Sequence, residues 1–176
     1  MSLICFALQA QPPAAQGSLE EQLTEAIKVN EKGDDRLGDR GQVLKAYAQA
    51  GIIYSQRTLR SDFEDTYVLR KPANFLGHDL LAIIDDHGRE AGDSESGCCP
   101  TEGFTVYVRI VGDDRNLRHF AEINRCDFSD GRELQGQLGV PQLWSQPPPH
   151  GQQRVALPAG TYGSLSCTSR NLEPTD

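Results

Sequence analysis

The apolar positions of the chain follow two spacings. As far as about residue 88 they recur every three or four residues, as on one face of a helix. From residue 104 they come in unbroken or alternating runs, as along a strand. Ser18 followed by Glu21 has capping-box spacing, and Leu19, Leu23, Ala26 and Ile27 form a narrow stripe behind it. The pattern predicts a first helix that Gly33 stops. Residues 33–41 read as a solvated, charged turn without the ligand spacing of an EF-hand loop. Residues 42–50 predict a second helix with Val43, Leu44, Tyr47 and Ala48 on one side, and residues 52–54 a short strand. Ser61 and Glu64 repeat the capping-box spacing before Phe63, Tyr67, Val68 and Leu69, so a short third helix is expected to end near Pro72. Asn74 opens a fourth, carrying Phe75, Leu76, Leu80, Leu81, Ile83 and Ile84 up to His87. Being the most apolar of the four, it is expected at the centre.

After a polar loop the residue types change. Residues 104–111 are β-branched and aromatic and predict the main strand. Asp113 or Asp114 caps a helix bearing Leu117, Phe120 and Ala121. Residues 126–128 return as a strand, and 132–138 form a short helix. Trp144 precedes a stiff Pro-rich connector at 145–151, and residues 154–157 pair with 162–168 around the turn at 158–161. The organisation read from this is an apolar-tipped arm or linker at 1–17 and one α+β domain at 18–176. Within it lie a helical part (18–88), a polar loop (88–103) and a sheet-rich part (104–170). The N-terminal helices are expected to pack on a small, mostly antiparallel sheet formed mainly after residue 103.

Composition narrows the function. The 176 residues, 38% of them hydrophobic and 24% charged, suffice for one ordinary domain. A net charge of −8 repels phosphate backbones, which argues against sequence-independent nucleic-acid binding. No apolar run approaches the eighteen or so residues of a membrane span. The run at residues 3–8 has no basic residue before it, the first being Lys28, so an arm or strand is expected there rather than a secretory signal. Five cysteines, an odd number without a C-x-x-C pair, suggest reduced thiols and a cytoplasmic home.

Four features carry candidate chemistry. The vicinal Cys98 and Cys99, with Cys126 and Cys167 near strand ends, are a possible zinc ligand set, although no pair has the spacing of a zinc knuckle. The same vicinal thiols, with His78, His87, His119 or His150 as base, would serve nucleophilic catalysis, Asp85, Asp86 or Asp127 orienting the imidazole. Of the imidazoles, His78 is expected half-buried and satisfied. Arg57, Arg60, Arg70 and Lys71 bracket Asp62, Glu64 and Asp65, and either grip an anion or pair with those acids. Finally, acids including Glu20, Glu21, Glu25, Asp34, Asp35, Asp85 and Asp86 crowd the N-terminal half. Separately, the run Val155-Ala156-Leu157-Pro158-Ala159-Gly160-Thr161-Tyr162 resembles the Pro-Ala-Gly-x-Tyr hairpin of GyrI-like effector-binding domains. That resemblance implies a sheet lining a small-molecule pocket, and no functional residue is carried over with it.

The leading expectation is a non-catalytic regulatory or partner-blocking protein that engages a basic protein surface through its acidic helical half. The alternative is a small-ligand sensor, its pocket between the sheet and the fourth helix lined by Tyr107, Phe120, Trp144 and Tyr162, with Arg57 and Arg60 as further ligand contacts. A third reading is a thiol- or zinc-dependent enzyme centred on Cys98 and Cys99.

Overall fold

The structure, a computed structural model, describes residues 18–60, 64–87, 102–130, 156–157 and 159–172. Helix α1 (Leu19–Ile27) begins where the sequence places it. The Ser18 hydroxyl accepts from the Glu21 amide while Glu21 accepts from the Ser18 amide, satisfying two orphan donors at once. Helix α2 (Arg40–Gln49) starts two residues ahead of expectation because the Asp39 carboxylate caps it through the Gln42 amide. Between them, residues 28–38 double back through a bridge from Val29 to Arg36, with the Asn30 side chain accepting from the amides of Gly33 and Asp34. This loop lies so close to α1 that a Cβ on Gly38 would sit 2.3 Å from the Ala26 Cα. Residues 52–54 are not a strand.

The next segment departs from the sequence reading. The expected third and fourth helices are strands: β1 (Leu59–Arg60), β2 (Glu64–Phe75) and β3 (His78–His87), the last two forming a hairpin. Leu76 and Gly77 make its two-residue turn with φ values of 51° and 83°, the pattern of a type I′ turn. Leucine is an unusual occupant of such a position. The Leu76 amide is held there by the Glu20 carboxylate of α1 at 2.7 Å. What resembles a helical stripe in β3 is the unbroken apolar run of a central strand covered on both faces, with every residue from Leu80 to Ile84 buried. Its register is also stepped. Leu81 has no partner in the pairing with the next strand, β4 (Glu102–Arg109), and residues 69–72 bulge out of β2 at the same level.

Strands β4 (Glu102–Arg109), β5 (Asp127–Asp130) and β6 (Tyr162–Thr168) complete a six-stranded antiparallel sheet in the order β1-β2-β3-β4-β6-β5. Helix α3 (Arg115–Ile123) connects β4 to β5. The class is α+β, as the sequence implies, but the sheet starts at residue 59 rather than mainly after 103, and the helical part ends with α2. The expected helix at 132–138 and residues 154–155 of the expected hairpin lie outside the described residues. Leu157 is described and is not in a strand.

Helices α1, α2 and α3 cover one face of the sheet. Leu23, Ala26 and Ile27 of α1, Val43 and Tyr47 of α2, and Leu117, Phe120 and Ala121 of α3 pack with Phe75, Leu80, Ile83, Phe104, Val106, Val108 and Leu165. Phe75 and Phe120 meet edge to face at 6.1 Å. Cys126 and Cys167, directly opposite one another at the head of β5 and the end of β6, are joined by a disulfide with Cα atoms 4.5 Å apart. This corrects two expectations at once. These thiols are not reduced, and a sulfur already bonded to sulfur is not a thiolate ligand, so neither residue belongs to a four-cysteine zinc site.

Candidate functional site

Strand alternation sends every second side chain to the sheet face opposite the helices, and the register arranges these in rows. Glu64, Asp86, Gly103 and Thr168 form the first row; Thr66, Ile84, Thr105 and Ser166 the second; Val68, Ala82, Tyr107 and Ser164 the third. Beyond the step in register come Asp79, Arg109 and Tyr162. The face therefore grades from carboxylates, through hydroxyls, to an apolar and aromatic patch, and ends at an ion pair between Arg109 and Asp79. Val68, Leu81, Ala82, Ile84 and Tyr107 are buried on it, with Leu157 and Tyr162 packed alongside.

Asp86 is its chemically distinctive residue. It is only 8% exposed, and its carboxylate accepts from the Thr105 hydroxyl at 3.2 Å, which in turn lies 3.0 Å from the Ser166 hydroxyl. Burial, and then the Glu64 carboxylate opposite, push its pKa up to about 6 against the restraining Thr105 hydrogen bond. Burial and the same two carboxylates also raise the Tyr107 phenol, which stays a neutral donor near neutral pH. One residue along, Asp85 points to the helix side, where Arg40 of α2 binds its Oδ1 at 3.1 Å and also reaches Glu102 and the carbonyls of Asp86 and Gly103. Burial raises the Asp85 pKa while Arg40 opposes the shift.

Of the residues nominated from sequence, Tyr107 and Tyr162 do share this face. Phe120 does not. It sits on α3 in the opposite core, and the fourth helix that was to close the pocket is β3. Trp144, Cys98 and Cys99 lie outside the described residues. Arg57 pairs with Asp65, which His87 also approaches at 3.9 Å, and Arg60 is exposed on β1. His78 is buried at the start of β3, its Nδ1 accepting from the Val111 amide. The acidic helical surface is largely engaged in holding the fold: Glu20 binds Leu76, Glu21 completes a cap and Glu25 pairs with Lys28. Asp85 and Asp86 are on a strand.

The hydroxyl row was not singled out from sequence. Its signal is present, because Thr105-x-Tyr107 and Ser164-x-Ser166-x-Thr168 place oxygens at every second residue. Among the described residues no group of three or more His, Cys, Asp or Glu is placed to hold a metal ion. Nor, among them, is any helix long and apolar enough to cross a membrane. Compared with family models, curated proteins and solved structures, the chain matches none.

Proposed function

We propose that this chain is a non-catalytic small-molecule-binding module whose site lies against the sheet face opposite α1–α3, entered at its edge by way of the exposed Glu64. The ligand class is a polar molecule with a cationic amine or guanidine head. Glu64 and Asp86 would receive the head, Thr105 and Ser166 would bond its neighbouring polar atoms, and Tyr107 with Tyr162 would flank its apolar part. The observation that carries this reading is Asp86, a buried carboxylate beside a second carboxylate, which among the described residues accepts a side-chain hydrogen bond from the Thr105 hydroxyl, itself bonded to Ser166. A cation there would relieve the repulsion between the two acids. This reading is preferred to an acidic helical docking surface because Glu20, Glu21 and Glu25 are already committed to intramolecular partners.

The Cys126–Cys167 bridge supports an oxidising compartment rather than the cytoplasm suggested by cysteine count. The binding test is a thermal-shift series with butylamine, agmatine, arginine and spermidine at pH 5 and pH 7.5. At least one amine is expected to raise Tm, more strongly at pH 7.5, where Asp86 is ionised, and the increment should vanish in Asp86→Asn. No increment from any of the four at millimolar concentration, or one unchanged in Asp86→Asn, would overturn the proposal.

A further inference from the structure

We infer that the Cys126–Cys167 bridge is a thiol–disulfide exchange site, entered by an external dithiol at Cys126, with Arg36 holding the Cys126 thiolate once it is released. The two sulfurs are unequally placed. Cys167 is fully buried in the core, whereas Cys126 is partly exposed between α3 and β5. The attacking sulfur therefore reaches Cys126 first.

Arg36 supplies the second half of the argument. It projects from the loop between α1 and α2 into the seam where α3 ends and β6 closes. Its Nη1 donates to the carbonyls of Ile27 and Asn124 and contacts the Cys126 Sγ at 3.7 Å, and its Nη2 donates to the carbonyls of Arg125 and Thr168. Every one of these acceptors is formally neutral. The remaining N–H, on Nε, is buried and finds no acceptor among the described residues. Burial lowers the guanidinium to about 10 while Asp35 opposes the shift, so it stays protonated at neutral pH. A half-buried cation whose hydrogen-bond acceptors are uncharged, touching the partly exposed Cys126 through Nη1, is suited to stabilising an anion at that sulfur. The charged sequence neighbours of Cys126 are Arg125 and Asp127, and Arg170 follows β6 in the 3-10 turn beyond Cys167. Arg125 is turned to the Gly33 carbonyl and Asp127 is bound by Asn171. The carbonyls at the C-terminal end of α3 would oppose a thiolate, and two of them are those Arg36 already engages.

The exchange balances as follows. A thiolate of the dithiol attacks Cys126 Sγ, forming a mixed disulfide and expelling Cys167, which takes up a proton. The second thiol of the reagent, deprotonated, attacks its own partner sulfur and expels Cys126 as the thiolate beside Arg36. The dithiol leaves as a cyclic disulfide, having given two electrons to the bridge.

Two measurements on the full chain test this. Native protein exposed briefly to the monothiol glutathione, quenched in acid and mapped by mass spectrometry, should carry the adduct on Cys126. After reduction by dithiothreitol, the pH profile of Cys126 alkylation should have its midpoint at least about one unit below the ordinary 8.5 of a free thiol. In Arg36→Gln the midpoint should move back towards 8.5, while Arg36→Lys, which keeps the charge, should stay lower than Arg36→Gln. An adduct on Cys167, or a wild-type midpoint at or above 8.5, would overturn the inference even if the Arg36 variants did not fold.

Discussion

Asp86 makes the protein's stability depend on pH in an uncommon direction. A carboxyl whose pKa is raised on folding binds more protons in the native state than in the unfolded one. Stability is therefore lost as pH rises from the unfolded value near 4 through about 6, and is higher on the acid side. The shift corresponds to an upper bound of about 3 kcal/mol carried against folding at neutral pH. Asp86→Asn removes the charge and keeps an acceptor for Thr105. It should raise urea-unfolding stability at pH 7.5 by up to about 3 kcal/mol and change it little at pH 4. An equal loss at both pH values would mean that the carboxylate is not the strained group. The Asp85 shift is in the same direction and adds to the trend, softened by Arg40. At this scale the sequence was informative about identity and blind to environment. Asp85-Asp86 reads as one acidic pair, yet adjacent strand positions put one beside an arginine and the other beside two hydroxyls.

At the level of elements, the hairpin of β2 and β3 depends on a contact from elsewhere in the chain. Leu76 occupies a left-handed position where leucine is disfavoured by about 1–2 kcal/mol, and Glu20 of α1 compensates by accepting its amide hydrogen. Glu20→Ala should destabilise the fold by about 2 kcal/mol in urea unfolding, although it removes a charge from an already acidic chain. A change below a few tenths would show the contact to be dispensable. The same hairpin explains why the sequence misled. Ser61-x-x-Glu64 imitates a cap, and the apolar residues 80–84 match a helical face as well as a doubly buried strand. The contrary signals were local: Gly77 within a supposed helix, and the β-branched Thr66, Val68, Ile83 and Ile84. By contrast α1 was legible because its cap and periodicity agree, α3 through its apolar periodicity although the Asp114 side chain makes no capping hydrogen bond, and β4 through its β-branched and aromatic residues.

On the scale of the whole molecule, α+β could be read from the sequence because the class needs only element types, whereas strand order depends on pairings made across distant residues. Two halves of the candidate site, Glu64–Asp86 from the hairpin and Thr105–Ser166 from strands 61 residues apart, meet only through that order. The order also leaves β2, twelve residues long, beside a β1 of only two. Much of its outer rim would be open to a strand from a neighbouring molecule. It is closed instead by the segment before it, as Thr58 receives the Val68 amide and Ile52 the Arg70 amide. Where that cover ends stand exposed Arg70, Lys71 and Pro72, bulged out of register, a combination that bars an incoming strand by charge, shape and a missing donor. Replacing Lys71 and Pro72 together by valine should make light scattering rise with concentration where the wild type stays flat. Unchanged scattering would count against this role. Arg70 and Lys71, part of a cluster that reads in the sequence as either gripping an anion or pairing with acids, would on this account act as a guard, keeping one sheet from growing into a fibre of many.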